Sequence, residues 1–292
     1  YVSNQGDCWS FSQDYLLRYM EESLAQAPEQ ERRMSAEGFH ASYLVTARKL
    51  GLRTAELHKA LATDTGNPAF APEPITPYDV DEWVQRVRHE AAETLDMLRR
   101  FDASPEIMRP AVDRVLQLEP DIMQRIEALA LDGVNAVKCR YHGDYHLGQV
   151  LIVENDFKII DFEGEPARTL EERRRKHSAL KDVAGMLRSF SYAAYSALNR
   201  ITADRPDDTL VLEPEARAWE GLAKEAFMAG YLGGLEDCRV YPERPQHGAA
   251  LIELFTLEKV FYEIRYELNN RPAWLGIPLR GILSILENKP GP

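Results

Sequence analysis

The sequence predicts a mainly α-helical fold with one small β-hairpin near its middle. Apolar residues recur at spacings of three and four over most of the 292 residues, a pattern that is typical of amphipathic helices. Two short β-branched runs, 150–153 and 157–160, are separated by a Glu-Asn-Asp segment that favours a hairpin turn. We find no internal repeat and no low-complexity tract in the sequence.

The helices are predicted from their apolar periodicity and from the residues at their ends. Thr76 is predicted to be the N-cap of a helix that has Pro77 at its first position and Asp79 two residues further on. The apolar stripe of this helix consists of Val80, Trp83, Val84, Val87, Ala91, Leu95 and Leu98. The predicted helices cover about 12–25, 37–62, 77–101, 105–117, 119–131, 178–199, 214–236, 247–269 and 278–287.

Composition and charge exclude several classes of protein. The net charge of −12 argues against nucleic acid and anionic membranes as partners, because both need a basic surface. Charged residues make up 28% of the chain, and no apolar stretch approaches the length of a transmembrane helix. Cys8, Cys139 and Cys238 are too few and too far apart for a disulfide framework or a closed zinc site, which predicts a reducing, cytoplasmic location. Because the chain begins with Tyr1 and no signal peptide follows, we expect it to be part of a longer protein.

The candidate chemistry lies in one segment around the hairpin. The segment reads YHGDYHLGQ from Tyr141, continues through the hairpin and ends in IDFE. Kinases use the same order: a catalytic-loop Asp, an amide five residues later that holds Mg²⁺, a hairpin, and a metal-binding Asp at the end of the hairpin. The sequence therefore predicts Asp144 as the proton acceptor, with Gln149 and Asp161 as Mg²⁺ ligands and ATP as co-substrate.

The residue types suit phosphoryl transfer, which needs positioning, a proton acceptor and cations over the developing charge. Mg²⁺ prefers oxygen ligands, and the carboxylate of Asp161 and the amide of Gln149 provide them. His142 and His146 are predicted to organise the loop by hydrogen bonds and not to bind metal, and His146 is also predicted to contact the nucleotide.

Several of these residues have alternative interpretations. Asp144 is alternatively a loop residue that caps backbone groups, and His142, His146 and Cys139 are alternatively part of the metal site of a metallohydrolase. Asp182, at the start of a predicted helix, is interpreted as structural. The charged run 171–176 is either a solvated helix face or a border of the active site.

Several stretches of the chain together resemble the maltokinase family. These stretches are HGDYHLGQVL from His142, IDFEGEP from Ile160, RRRK from Arg173 and DVAGMLRS from Asp182. An early NQGD segment followed by Trp9, and a late segment from Tyr262 that ends in YELNNRP, are also similar, so the resemblance runs nearly end to end. Maltokinases have an aminoglycoside-phosphotransferase-like, protein-kinase-like fold, and the domain is often fused to the C-terminus of trehalose synthase.

The resemblance implies that the chain is the C-terminal lobe of such a kinase, mainly α with a small β-hairpin, and that the N-terminal lobe is absent. Residues 1–9 are then a linker from the missing lobe, and residues 10–292 are the helical C-lobe with its catalytic loop at 141–163. The sequence contains neither a phosphate-covering loop nor a strand lysine of the kind that an N-lobe carries. The implied partners are maltose, ATP, the missing N-terminal kinase lobe and a fused or associated trehalose synthase domain. We therefore expect the isolated chain to bind ATP poorly and to be inactive.

The resemblance also implies transfer of the γ-phosphate of ATP to the anomeric hydroxyl of maltose, with sugar contacts from Lys259, Tyr262 and Tyr266. At about 100° per residue these three side chains fall within roughly 60° of one another on a helix. A separate apolar stripe of Leu254, Leu257, Phe261, Ile264 and Leu268 forms the core face of that helix. Aromatic rings suit the apolar faces of a sugar. The alternative is that the two tyrosines only pack against a neighbouring helix.

Two other functions remain open from the sequence. The chain is alternatively a non-catalytic accessory or sugar-binding module of a trehalose synthase, although its intact Asp144, Gln149 and Asp161 argue against a degenerate site. It is alternatively a kinase for another hydroxyl acceptor, such as an aminoglycoside, choline or another sugar.

Overall fold

The computed structural model describes residues 3–25, 36–101, 108–165, 168–236 and 238–287, and helices dominate these residues. The helices are α1 (Cys8–Ala25), α2 (Ala36–Leu61), α3 (Pro77–Arg100), α4 (Arg109–Gln117), α5 (Glu119–Ala128), α6 (Leu170–Arg174), α7 (Leu180–Thr202), α8 (Thr209–Gly234), α9 (Pro245–Asn270) and α10 (Gly276–Glu287). The strands are β1 (Glu73–Pro74), β2 (Val137–Lys138), β3 (Val150–Val153) and β4 (Asp156–Ile159).

Each of the nine predicted helices has a counterpart whose ends differ from the prediction by a few residues. The predicted start near 105 lies outside the described residues. The nine predicted helices do not include α6, although a helix face was one interpretation of the run 171–176, and the pairing of β1 with β2 was not predicted, because five-residue and two-residue elements are too short to show a periodic pattern. None of the helices in the described ranges has an apolar stretch long enough to span a membrane.

The start of α3 follows directly from its local sequence. The hydroxyl of Thr76 accepts a hydrogen bond from the Asp79 amide at 3.3 Å, and the Asp79 carboxylate accepts one from the Thr76 amide at 2.8 Å. This reciprocal capping box satisfies two of the amides that a helix start leaves without partners. All seven residues of the predicted apolar stripe are buried, so the prediction for this helix is confirmed in both its start and its core face.

The chain divides into two compact units. The first consists of Tyr1–Ala71, Arg140–Arg175 and Ser189–Cys238, and the second of Pro72–Cys139, Lys176–Arg188 and Arg239–Pro292. Helix α7 therefore contributes its first turns to the second unit and the rest of its length to the first.

In the first unit, α2 and α8 pack with their backbones unusually close. A Cβ atom on Gly51 would lie 2.0 Å from the carbonyl oxygen of Phe227, and one on Gly230 would lie 1.9 Å from that of Arg48. Only glycine permits such an approach between two helix backbones. The space beside this contact is filled by fully buried aromatic side chains, which are Phe190, Trp219, Phe227 and Tyr231.

The first unit also contains the predicted hairpin. β3 and β4 pair antiparallel from Val150 with Ile159 to Val153 with Asp156. The two residues between them, Glu154 and Asn155, have φ angles of 50° and 64°. Two successive residues with positive φ are the signature of a type I′ turn, whose twist matches that of the strands it joins.

The segment predicted to be a linker pairs with the free edge of this hairpin. The Gln5 amide donates to the carbonyl of Ile152 at 2.9 Å, and the Ile152 amide donates to the carbonyl of Gly6 at 2.9 Å. Asp7 then accepts a hydrogen bond from the Ser10 amide at 2.8 Å in the first turn of α1. This segment covers an edge of β3 that would otherwise expose unpaired backbone groups. Tyr1 and Val2 lie outside the described residues.

The core of the second unit is formed by α3, α9 and α10 with the shorter α4 and α5. Trp83 stacks on His177 with ring centroids 4.5 Å apart, and Phe255 meets the same imidazole edge-on at 5.0 Å. Burial holds the pKa of His177 well below its ordinary value, because a charged imidazole would lose its hydration. His177 therefore packs as an uncharged aromatic ring.

Buried ion pairs join the first turns of α7 to α9. The guanidinium of Arg188 donates from Nε and Nη2 to one oxygen of Glu263, at 3.0 and 2.8 Å, and both side chains are buried. The Nζ of partly exposed Lys181 donates to Oε1 of buried Glu258. Gly281 in α10 leaves room for the guanidinium, since a Cβ there would lie 2.7 Å from Nη1 of Arg188. Because a buried charge without its partner is costly, rotation of α9 away from these pairs would be destabilising.

The close approach of α2 and α8 predicts opposite effects of two glycine substitutions in the same helix. Gly230→Ala should lower the free energy of unfolding by about 1–3 kcal/mol, because its methyl group collides with the backbone of α2. Gly221→Ala should raise it by up to about 1 kcal/mol, because nothing lies within 4 Å of its Cβ position and alanine favours the helix. Urea denaturation followed by circular dichroism measures both. Similar shifts for the two variants would contradict the packing described here.

Candidate active site

The predicted catalytic loop lies in the first unit and is held by the buried imidazole of His142. Its Nε2 bonds to the carbonyl of Ile160 at 2.8 Å, and its Nδ1 accepts from the Asp144 amide at 3.3 Å. This pattern places the ring proton on Nε2, which donates to the carbonyl. The imidazole thus ties the backbone of Asp144 to the residue that precedes Asp161. The prediction that His142 organises the loop is confirmed.

Closure of the hairpin brings Gln149 and Asp161 together. The Ile160 amide donates to the carbonyl of Gln149 at 3.0 Å, which extends the β3–β4 ladder by one step. Beyond it, the side-chain Nε2 of Gln149 donates to Oδ2 of Asp161 at 3.0 Å. Asp161 has a φ of 65°, a left-handed conformation that asparagine and aspartate tolerate better than most residues. An amide and an exposed carboxylate therefore lie side by side at one end of the hairpin.

These two side chains fit Mg²⁺ by the chemistry of their donor atoms. With Nε2 of Gln149 turned toward Asp161, the amide oxygen and the carboxylate oxygens are the remaining donors, and hard oxygen ligands are what Mg²⁺ takes. Their role as metal ligands remains a prediction. The described residues contain no group of three or more His, Cys, Asp or Glu side chains that could hold a metal ion, which is the cluster that the metallohydrolase alternative needs.

His146 organises the short 3-10 turn at Leu147–Gln149. Its Nδ1 accepts from the Gly148 amide at 3.1 Å, and its Nε2 lies 4.0 Å from Oδ2 of Asp144. The side chain of Asp144 is 24% exposed and that of His146 is 41% exposed, so solvent reaches both. The predicted contact of His146 with the nucleotide remains a prediction.

Two further side chains support the loop, and sequence reasoning missed both. Ser189 Oγ accepts from the Leu147 amide at 3.0 Å, and Thr54 Oγ1 bonds to the hydroxyl of buried Tyr145 at 2.8 Å. Ser189 lies in α7, seven residues after Asp182, whose buried side chain agrees with a structural role. Small polar residues inside helical patterns were the available signal, but the sequence does not indicate which group of the loop each of them contacts.

Helix α2 holds the other end of the hairpin. Arg53 donates from Nε and Nη2 to the two carboxylate oxygens of Asp156, at 2.8 and 2.7 Å, and Lys49 Nζ donates to the carbonyl of Asn155 at 2.7 Å. The bidentate bond to Arg53 lowers the pKa of Asp156 below its ordinary value. The hairpin that connects Gln149 to Asp161 is therefore anchored at its tip as well as at its open end.

The residues predicted to contact the sugar lie in the second unit, on one partly exposed face of α9. The Nζ of Lys259 lies 4.8 Å from the ring centroid of Tyr262, whose ring stacks on that of Tyr266 at 6.3 Å. The row continues beyond the prediction, because the guanidinium of Arg271 lies 5.2 Å from the Tyr266 ring and 4.7 Å from the Trp274 ring. Attraction between a cation and the face of an aromatic ring stabilises both side chains. The three predicted residues are thus adjacent, and their contact with a sugar remains a prediction.

No protein-family model matches the chain. The curated proteins that are similar to it in sequence include two glucosamine kinases. A glucosamine kinase of Streptacidiphilus jiangxiensis is 27% identical over 252 residues, which are 84% of this chain and 50% of that protein. A glucosamine kinase of Mycolicibacterium smegmatis is 27% identical over 239 residues, which are 82% of this chain and 53% of that protein. The chain therefore spans about half the length of the curated relatives it matches.

Solved structures of glucosamine kinases have the same fold. One crystal form superposes with a TM-score of 0.74 at 22% identity, covering 99% of this chain and 60% of that one. A glucosamine kinase in complex with glucosamine, ADP and inorganic phosphate superposes with a TM-score of 0.72 at 23% identity, covering 98% of this chain and 62% of that one. The chain has the fold of these kinases.

These similarities correct the family and the fold class inferred from the sequence. The resemblance to maltokinases is wrong, because the relatives found are glucosamine kinases. The fold class, an aminoglycoside-phosphotransferase-like C-terminal lobe without its N-lobe, is replaced by the glucosamine kinase fold, which matches 99% of the chain. The physical reason is that a catalytic loop and a metal-binding Asp serve phosphoryl transfer to many acceptors, so these motifs identify the chemistry and not the sugar.

The predicted partners are corrected for the same reason. Maltose, a trehalose synthase domain and an N-terminal lobe of the aminoglycoside-phosphotransferase type find no support in relatives that are named glucosamine kinases, one of which holds glucosamine and ADP. The expectation that the isolated chain is inactive remains a prediction.

The anchoring of the hairpin tip predicts a local effect of Arg53→Gln. Loss of the bidentate bond to Asp156 should speed hydrogen exchange of the Ile152 and Ile160 amides several-fold, because exposed ion pairs contribute about 1 kcal/mol or less. The difference from wild type should disappear at acid pH. The lowered pKa of Asp156 means that its contribution is present above the ordinary carboxyl pKa and is lost as the pH falls through the folded value.

The control for this prediction is Arg86→Gln, which removes a comparable ion pair with Glu82 in α3 of the second unit. It should leave exchange in the hairpin unchanged. Equal exchange in wild type and Arg53→Gln would show that α2 does not hold the hairpin.

Proposed function

We propose that this chain carries the catalytic residues of an ATP-dependent sugar kinase. The observation that carries the proposal is the 3.0 Å contact of Gln149 with Asp161 at the open end of the hairpin, with Asp144 five residues before Gln149 on the adjoining loop. This combination supplies a proton acceptor and two oxygen ligands in the order that phosphoryl transfer uses. The names and the fold of the similar proteins support the same chemistry.

Asp144 acts as the base in the proposed reaction. The acceptor hydroxyl oxygen forms a bond to the γ-phosphorus of ATP while the bond from that phosphorus to the ADP oxygen breaks, and the hydroxyl proton passes to the Asp144 carboxylate. Asp144 suits this task because its backbone is held by His142 while its side chain is reached by solvent. A fixed backbone under a reactive side chain limits the loss of orientation entropy in the reaction.

Gln149 and Asp161 hold Mg²⁺ in this proposal. When bound, the ion neutralises charge on the phosphate oxygens of the nucleotide. The chain itself holds the side chains of Gln149 and Asp161 at a fixed distance from each other. Three contacts maintain that distance: the β3–β4 pairing, the His142 bond to Ile160, and the bond of Arg53 to the hairpin tip.

The proposed acceptor is glucosamine. Two curated relatives carry that name, and a solved structure with the same fold contains glucosamine and ADP. Within this chain, the row of Lys259, Tyr262 and Tyr266 supports a sugar-binding surface, because Tyr266 is 43% exposed and phenol and ammonium groups both bond to sugar hydroxyls. Since glucosamine carries a positive charge when protonated, Lys259 would bond to its hydroxyl oxygens and not to its amine.

The proposal predicts acceptor-dependent formation of ADP that requires Asp144. The purified protein with ATP and Mg²⁺ should release ADP with glucosamine and yield a sugar phosphate visible by phosphorus NMR. N-acetylglucosamine, glucose and maltose are parallel acceptors in the same assay. Asp144→Asn should reduce kcat by about 10²–10⁴-fold, because the proton acceptor is removed while the shape is kept.

Asp204→Asn is the control for this loss, since it removes an exposed carboxylate elsewhere in the first unit. Wild-type kcat in Asp144→Asn would exclude this residue as the base. ADP release with none of the sugars would overturn the proposed activity, and turnover with a sugar other than glucosamine would overturn the acceptor alone.

The aromatic row predicts an effect on the acceptor and not on the nucleotide. Tyr266→Ala should raise KM for the sugar about tenfold, a loss of about 1.4 kcal/mol, and leave KM for ATP within about twofold. Tyr78→Ala removes a tyrosine that is 75% exposed on α3 of the same unit and should change neither constant. An unchanged sugar KM in Tyr266→Ala would assign the row to packing alone.

A further inference from the structure

The basic run at the end of α6 is the feature that the proposed function leaves unused. In a chain of net charge −12, four cations follow one another at Arg173, Arg174, Arg175 and Lys176. These four side chains differ in their contacts and in their exposure. Lys176 pairs with Glu73, Arg175 lies 3.9 Å from Glu171, and the side chain of Arg174 is exposed. Arg173 is only partly exposed and lies against the turn that follows Asp161.

The local sequence fixes the position of Arg173. The hydroxyl of Thr169 accepts from the Glu172 amide at 3.3 Å, and the Glu172 carboxylate accepts from the Thr169 amide at 2.8 Å, so a capping box starts α6. The Arg173 amide then donates to the carbonyl of Thr169 at 3.0 Å in the first turn. The Arg173 side chain is therefore held by a defined helical turn.

Its aliphatic part packs on Gly164. The Cγ and Cδ atoms of Arg173 lie 3.4 and 3.5 Å from the position that a Cβ on Gly164 would occupy. On its other side, the Cα of Gly164 lies 3.1 Å from the Cβ position of Gly143, the residue before Asp144. Gly164 follows Asp161 by three residues. Arg173 therefore lies next to the turn where the chain segments of the proposed base and the proposed metal ligand meet.

The guanidinium of Arg173 has donor capacity left over. Nη1 donates to the carbonyl of Glu163 at 3.3 Å, a long bond that places the head group beside the turn. Nε is buried and has no acceptor among the residues that the structure describes. A guanidinium offers five N–H groups in a planar fork that matches the oxygens of a phosphate.

We infer that Arg173 binds a phosphate group at this turn, as a further substrate-binding residue of the proposed kinase. The inference rests on the proposed function and extends it. The ligand is either the phosphate that remains terminal in ADP or the γ-phosphoryl group in transfer, and both present anionic oxygens to the guanidinium. A cation directed at those oxygens lowers the barrier because negative charge develops there. The structure thus assigns one residue of the basic run to the site and leaves Arg174 as a solvated neighbour.

The test compares Arg173→Gln and Arg173→Lys with Arg174→Gln in the full protein. Arg173→Gln should lower kcat about 10²–10³-fold, the loss that follows removal of one donor to a developing charge, and leave KM for the sugar within about threefold. Arg173→Lys should recover part of kcat, because it keeps the charge and loses the fork. Arg174→Gln should match wild type.

Equilibrium binding gives a readout that does not depend on turnover. Calorimetric titration with ADP and, separately, with inorganic phosphate should show at least about tenfold weaker binding of one of them to Arg173→Gln. Loss for ADP assigns Arg173 to the nucleotide, and loss for inorganic phosphate alone assigns it to the group in transfer. Both results support the inference.

Binding of ADP and phosphate to Arg173→Gln at wild-type strength would overturn the inference. A fall in melting temperature with weaker binding that Arg173→Lys does not restore would overturn it too, since Arg173 would then only support the turn. If wild type phosphorylates no sugar, the proposed function fails, whereas the two titrations still decide whether Arg173 binds phosphate.

Discussion

The register of the β3–β4 hairpin is the constraint on which the candidate site depends. Gln149 directly precedes β3 and Asp161 closely follows β4, so pairing of Val150 with Ile159 places their side chains at the same end of the hairpin. A slip of one residue would turn one of the two side chains to the opposite face. The two-residue turn sets the register at the far end, and Arg53 of α2 bonds to the strand that leaves it. The two side chains of the site are thus positioned from both ends of one short element.

The loop before the hairpin shows how irregular backbone is stabilised next to reactive groups. A loop cannot satisfy its amides and carbonyls by a ladder, so each needs an individual partner. His142 and Ser189 supply these partners from buried positions, and the contact of Gly143 with Gly164 removes side chains where two backbones meet. Because these hydrogen bonds are made to the backbone of the loop, the carboxylate of Asp144 is oriented without being buried. The fixed loop also lowers the entropy cost of binding a substrate.

In the second unit, buried charge determines the orientation of α9. Three carboxylates of this helix are buried and each is paired with a cation, the pairs being Glu258 with Lys181, Glu263 with Arg188 and Glu267 with Arg271. The net charge of the chain therefore does not predict the charge of a local binding surface. On α9, buried acidic side chains are paired with cations, and a cation–aromatic row lies on the partly exposed face. Apolar packing tolerates rotation of a helix by a fraction of a turn, whereas a buried ion pair loses most of its benefit when it is misaligned.

The sequence by itself determined the elements whose signal is local: the helices, the capped start of α3, the hairpin and the order of Asp144, Gln149 and Asp161. Periodicity and turn chemistry act within a few residues, so a single sequence contains them. Only the tertiary structure decided that Ser189 serves the loop and that Arg173 lies against the turn after Asp161, because those contacts depend on where separate elements meet. The acceptor was inferred wrongly from sequence for a related reason. The loop motif encodes phosphoryl transfer, whereas the choice between sugars depends on side chains that folding assembles from distant parts of the chain.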